Sequence, residues 1–233
     1  MNKRFFALLM FLCIAFVAVS QEPELYRNVE SDMAIPKTGP NRRHFNHLFL
    51  TYGFITGNPE NIGAKIIHGK SGLFSIGDRY KLKFNNTFSM GADLYYQIST
   101  YHISQHDGKL VPDNIIHKKE KLKFHSLVLD IYQRVNVGRR GNHIGNYFDI
   151  GAFGGWNMGL RHITKDVTSD DITIYTERKG MKYREPLTYG VLARIGFNRF
   201  AINATYRLSD CFKENAQLPE LPRVQIGLEL GIF

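Results

Sequence analysis

The sequence predicts an all-β fold, a transmembrane eight-stranded antiparallel up-and-down β-barrel with short periplasmic turns and long extracellular loops. Three observations predict it. Apolar and polar side chains alternate with a period of two in eight separate stretches. The connections between those stretches alternate between tight turns and long polar loops. After residue 20 no apolar run is long enough to cross a bilayer as a helix, which needs about 20 residues.

The chain opens with Lys3 and Arg4, an apolar run from Phe5 to Val19, and Ala18-Val19-Ser20 before Gln21. This is the pattern of a cleaved secretory leader, residues 1–20. Cys13 follows Leu12, where a lipoprotein site needs a small residue, so lipid anchoring is not expected. Losing the leader removes two positive charges and no acid, so the net charge falls from +9 to about +7. The cations form no single stripe that would suit nucleic acid, and an exported chain seldom meets any; surface-lipid phosphates are the expected counter-charge. With the leader gone Cys211 is the only cysteine, which excludes an intramolecular disulfide. Residues 21–43, with three prolines and no period, read as a flexible periplasmic lead-in, and residues 44–233 as the barrel.

The first strand, about Phe45 to Thr56, places Leu48, Leu50, Tyr52 and Phe54 on one face. The second, about Leu73 to Phe84, groups Phe74, Ile76, Tyr80 and Leu82 against Arg79, Lys81 and Lys83; Asp78 interrupts the apolar face, implying a headgroup position or a slip of phase. The third, about Phe88 to Ile103, is the cleanest, with Met90, Ala92, Leu94 and Tyr96 against Gly91, Asp93 and Tyr95. The fourth, about Leu122 to Val137, sets Leu127, Leu129 and Ile131 against Ser126, Asp130 and Arg134. The fifth, about Tyr147 to Leu160, sets Phe148, Ile150, Ala152, Trp156 and Met158 against Asp149, Gly151 and Asn157. Leu187 to Phe197, Phe200 to Leu208 and Val224 to Ile232 complete the set, with Arg194, Arg207 and Glu229 on their polar faces. Residues 57–72, 104–121, 163–186 and 210–222 are the long loops. If Phe84 and Phe88 both point outward, parity places Arg79 opposite Asp93 as an ion pair.

Alternation alone also fits a soluble barrel around a ligand. Three features favour lipid outside. Glycines crowd the polar face, at 77, 91, 151, 155, 190, 196, 227 and 231, as a narrow bore requires. The apolar face carries Phe84, Phe88, Phe148, Phe197 and Phe200 at its short-turn ends and Trp156, Tyr189 and Tyr206 some eight residues away. At a tilt near 40° eight residues climb roughly 20 Å, the separation of two aromatic girdles. The terminal Phe233 on an amphipathic strand is similar to the signal read by the barrel insertion machinery, although Val224 to Ile232 run one residue out of step with it.

In these features, and in the texture of FSIGDRYKLKFNNTFSMGADLYYQIST, the chain from Leu48 to Phe233 resembles the small eight-stranded outer-membrane barrels, the OmpA/OmpX-like group and more particularly the PorT-like barrels. The resemblance implies residence in the outer membrane of a Gram-negative bacterium, and the PorT-like likeness implies a possible part in a secretion apparatus.

Nine inward charges, Arg79, Lys81, Asp93, Asp130, Arg134, Asp149, Arg194, Arg207 and Glu229, would meet inside too narrow a bore for open water, and nearly balanced charge favours a plug of salt links. His102 and Ser104 share the His-x-Ser spacing of lipid A deacylases and are the alternative, catalytic reading; no acidic third member is evident. No cofactor or metal is expected, and His44 and His47 are read as incidental. The expected function is non-enzymatic binding by the loops. In the third loop Ile172, Ile174 and Tyr175 continue the alternation as a protruding ribbon able to recruit a protein by strand addition, and residues 117–121 would meet lipopolysaccharide phosphates.

Overall fold

The structure, a computed structural model, describes residues 39–138 and 141–233. The leader and most of the lead-in lie outside the described residues. Among the described residues nine strands form: β1 (His44–Thr56), β2 (Gly72–Lys83), β3 (Phe88–Ile103), β4 (Lys119–Val137), β5 (Asn146–Val167), β6 (Thr173–Lys179), β7 (Leu187–Phe197), β8 (Phe200–Arg207) and β9 (Val224–Ile232). Eight of them close into an antiparallel ring in the order β4-β3-β2-β1-β9-β8-β7-β5, with β5 returning to β4. The ninth, β6, is not a barrel stave. It hangs on the far end of β5, pairing Arg161–Val167 with Thr173–Lys179, whereas the lower part of β5 pairs with β7 from Asn146 to Trp156.

The three shorter connections, β2–β3, β4–β5 and β7–β8, lie at one end and the four long ones, counting β6 within the link from β5 to β7, at the other. Parity holds across the β2–β3 hairpin, where Arg79 faces Asp93 and Asp78 faces Leu94 with no slip. Asp78 therefore remains on the outer face, half-buried, with Leu48 on its other side. Residues 39–43, the last of the stretch read as lead-in, are held at the short-turn end, where Asn41 Nδ2 donates to the Gly141 carbonyl at 2.5 Å and Lys83 Nζ donates to Asn41 Oδ1 at 2.9 Å.

Burial is inverted relative to a protein dissolved in water. Leu228 is 67% exposed, Phe200 66% and Trp156 56%, while Arg79 is 1% exposed and Asp93 and Asp149 are fully buried. The inward glycines are needed for closeness: a Cβ on Gly151 would lie 2.2 Å from the Ile131 carbonyl oxygen, and one on Gly196 would lie 1.9 Å from the Tyr147 ring.

β5 carries one irregularity with large consequences. Ser126 of β4 faces Asn157 but His125 faces Gly159, so Met158 is an extra, bulged residue. Below it the even-numbered residues of β5 point outward; above it the odd ones do. The expectation that the fifth strand keeps a single phase through Leu160 is therefore corrected: Leu160 is 1% exposed and packs inward. Leu160 joins Ile55, Ile66, Leu122, Phe124, Phe212 and Leu221 in an apolar cluster that fills the long-loop mouth. The long loops, read as polar, thus fold over the barrel and close it.

Candidate functional site

Seven of the nine charges gathered from the sequence form one buried layer across the bore. Arg79 on β2 bonds Asp93 through Nε and Nη2 at 2.9 and 2.7 Å and reaches both carboxylate oxygens of Glu229 on β9. Arg134 on β4 bonds Asp149 on β5 bidentately at 2.7 and 2.8 Å. Arg194 on β7 ties the two halves together, bonding Asp149 at 3.0 Å and Asp93 at 2.9 Å, with Nε 3.3 Å from Glu229. Aromatic rings lie against the guanidiniums: the Phe49 ring is 4.6 Å from Arg79 and the Tyr147 ring 3.5 Å from Arg134.

Asp130 stands apart within the layer. Its nearest guanidinium nitrogen, on Arg194, is 3.8 Å away, and it accepts its hydrogen bond from the Tyr95 hydroxyl at 3.0 Å. Lys81, two residues nearer the short turns, donates to the Pro40 carbonyl and lies 5.4 Å from the Phe45 ring. Arg207 is not in the layer. It sits near the long-loop mouth, 2.7 Å from Glu220, a loop residue that alternation could not reveal. Between the charge layer and the apolar cap the bore keeps two small cavities of ≈ 30 and ≈ 20 Å³ with mixed linings, each the size of a few water molecules at most.

The girdle residues Phe84, Phe148, Trp156, Tyr189, Phe197, Phe200 and Tyr206 are all exposed on the outer face, and Phe88 is half-buried. Phe233 lies beyond β9 with inward parity. Its ring meets Phe45 at 5.5 Å and His47 at 5.4 Å edge-on, and Arg199 covers it at 4.9 Å, which accounts for its being out of step with the strand before it.

No side-chain hydrogen bond joins His102 to Ser104 among the described residues. His102 faces outward opposite Lys121, and burial together with Lys121, Lys70, Lys123 and Lys119 lowers its pKa. The Ser104 amide donates to the Lys65 carbonyl at 2.8 Å, and among the described residues no carboxylate hydrogen-bonds His102. His44 and His47, three apart on a strand, point to opposite faces, and His44 bonds the Tyr80 hydroxyl at 2.6 Å.

A second cluster, missed from the sequence, fastens the second long loop. Glu120 is 2% exposed and accepts from Lys109 at 2.5 Å, Gln105 at 2.8 Å and His162 at 2.6 Å. Lys109 also reaches Asp113 at 3.4 Å, and His117 bonds Asp166 at 2.8 Å. Asp113, His117 and Glu120 bring ligand atoms within 4.8 Å of one another, but the Lys109 ammonium already supplies the cation that two of them bond. The available signal was parity, since Glu120 shares its phase with Leu122, Ser126 and Asp130.

Burial raises the Glu120 pKa, but hydrogen bonds from His162, Lys109 and Gln105 outweigh it and hold the group below its ordinary value. A carboxyl depressed in the folded state stabilises above its unfolded pKa and loses that contribution as the pH falls through the folded value. Protease cleavage within residues 105–118 is thus expected to stay slow until the pH drops below the ordinary carboxylate range, then to rise. Glu120→Gln should expose this loop already at pH 7, by about 3 kcal/mol of local stability, because Lys109 is left buried without its main counter-charge.

No protein-family model matches the chain and no curated protein does. Among solved structures the chain is similar to Ail, the attachment invasion locus protein of Yersinia pestis, at 14% identity and a TM-score of 0.32, covering 80% of this chain and 93% of that one. The same protein in complex with the heparin analogue sucrose octasulfate aligns at 11% identity and a TM-score of 0.31, over 80% and 94%. Likeness at this level carries no inference about role, and the fold stands on the strand pairings above.

Proposed function

We propose that this chain is a non-enzymatic integral protein of a Gram-negative outer membrane, with a plugged lumen and a binding surface made by its long-loop end. The observation that carries the reading is the inverted wall: an apolar exterior around a bore filled by paired guanidiniums and carboxylates. Hydrocarbon is the solvent that suits such a wall. The short turns and Phe233 then face the periplasm, and the leader and barrel insertion machinery deliver the chain. The salt-linked layer stiffens the barrel and blocks solute flow.

Recognition is assigned to the β5–β6 ribbon. Every residue of β6 is exposed, and its pairing is with β5, so its other edge offers unpaired backbone groups above the membrane. An extended segment of a protein partner can add to such an edge.

The purified chain is expected to be β-rich in detergent and to shift on a gel after heating. Recovery from aqueous extracts without surfactant would end this reading. Shortening the 168–180 hairpin to a tight turn should keep the gel shift and abolish partner capture at the cell surface; unchanged capture would remove the hairpin from the binding role.

A further inference from the structure

The strongest unexplained feature is the outer wall of β3–β6 just above the aromatic row. Because of the bulge at Met158, Arg161 and Lys165 point to the same side as Lys119, Lys121 and Lys123 of β4 and Lys179 of β6. Cross-strand neighbours are then like-charged: Lys123 faces Arg161, Arg161 faces Lys179, and Lys119 faces Lys165. Like charges directly opposite on one face repel. Glu177 is the one acid on this part of the wall among the described residues, 3.3 Å from Arg161 and 3.8 Å from Lys179. Among the described residues Lys119, Lys121, Lys123 and Lys165 have no carboxylate partner. A hydrogen bond from the Lys165 ammonium, and after it the charges of Lys165, Lys119 and Lys121, lower the pKa of the Tyr175 hydroxyl beside them.

The height of this patch selects its ligand. Leu127, Trp156 and Leu187 face one another in a row, and Lys123 lies four residues further up β4, a climb of about 10 Å at the usual rise and tilt. One continuous surface therefore offers apolar side chains below and a band of cations above, matching a lipid with acyl chains and an anionic head.

We propose that this wall binds the phosphates of a phosphorylated glycolipid standing in the outer leaflet, with Lys123, Arg161 and Lys165 as the principal contacts and Lys119, Lys121 and Lys179 around them. An arginine fork and lysine ammoniums suit phosphate oxygens, and the anion relieves the repulsion across the strands. The inference rests on the outer-membrane reading above and names the lipid that reading calls for.

The test uses the full chain in detergent micelles, titrated with bisphosphorylated lipid A, with the same lipid stripped of both phosphates, and with inorganic phosphate. Tight binding of the bisphosphorylated lipid is expected, at least tenfold weaker in the Lys123→Gln/Arg161→Gln/Lys165→Gln variant and unchanged in Lys213→Gln, a loop cation placed elsewhere. The triple variant should keep the heat-dependent gel shift and, without lipid, unfold at the same temperature as the parent or higher, because it has lost a repulsion. Equal affinity of parent and triple variant overturns the proposal, as does equal affinity for the stripped lipid. Inorganic phosphate binding as tightly as lipid A would assign the wall to a free anion instead and also overturn it. A chain that needs no detergent sinks the outer-membrane reading itself, which separates the two failures.

Discussion

Arg194→Met is expected to lower the unfolding free energy by about 3–5 kcal/mol, whereas Asp130→Asn should change it by less than about 1 kcal/mol, although both residues lie in the same buried layer. Arg194 contacts Asp93, Asp149 and Glu229 within 3.3 Å and is 3.8 Å from Asp130. Without it, Arg79 and Arg134 remain to face all four carboxylates in a space closed to water. Breaking a buried pair by removing one partner is costly because the other charge stays buried. Asp130 holds no hydrogen bond from a guanidinium, and an asparagine keeps the acceptor that the Tyr95 hydroxyl needs. In the Arg194→Met background the same Asp130→Asn change should recover stability, since it removes an uncompensated negative charge; the two substitutions would then be strongly non-additive. Urea unfolding from lipid vesicles reads all three variants. An Asp130→Asn loss as large as that of Arg194→Met would show that the layer does not divide as its distances indicate.

Deleting Met158 together with Gly159 is expected to leave the barrel standing and to unfasten everything above it, whereas deleting Met158 alone should leave both intact. Removing Met158 alone takes out only the extra residue, so Gly159, Leu160 and Arg161 keep their partners on β4. Removing Gly159 as well steps the upper part of β5 by one, so Leu160 turns outward from the apolar cap, Arg161 turns inward beside Phe124, and His162 turns away from Glu120. Losing one buried leucine costs about 1.5–3 kcal/mol, and an unpaired buried charge adds several more. Hydrogen exchange in residues 160–179 and 105–121 should accelerate at least 100-fold, with the heat-dependent gel shift retained. Met158→Ala, by contrast, keeps the chain length and hence the bulge; its side chain is 40% exposed and its loss should do little. Unchanged exchange in the double-deletion variant would mean that the missing residue is made up elsewhere along β5.

The bulge also explains where sequence reasoning stopped. Trp156, Met158 and Leu160 continue a perfect apolar alternation, so nothing local marks the point where the face changes. The switch is decided by pairing with β4, where Ser126 and His125 fix two registers differing by one residue. The loops were opaque for a related reason. Ile66, Val111, Phe212 and Leu221 lie scattered among polar residues with no period, and become a core only when four separate loops meet over one mouth. Arg207 shows the same limit, since its parity was right and its partner, Glu220, lies in an aperiodic segment.

The sequence by itself determined the strand count of the barrel, the inward and outward faces of seven of its eight staves, and the Arg79–Asp93 pairing, because a period of two and a tight turn leave one register open. The tertiary structure alone decided which charges share a layer, that Glu120 and Lys109 lie buried together, and that six cations converge on one outer wall. Those outcomes depend on shear, closure and a single bulge, which bring together residues such as Arg79 and Glu229, 150 positions apart in the chain, and pairwise distances of that kind leave no periodic trace in the chain.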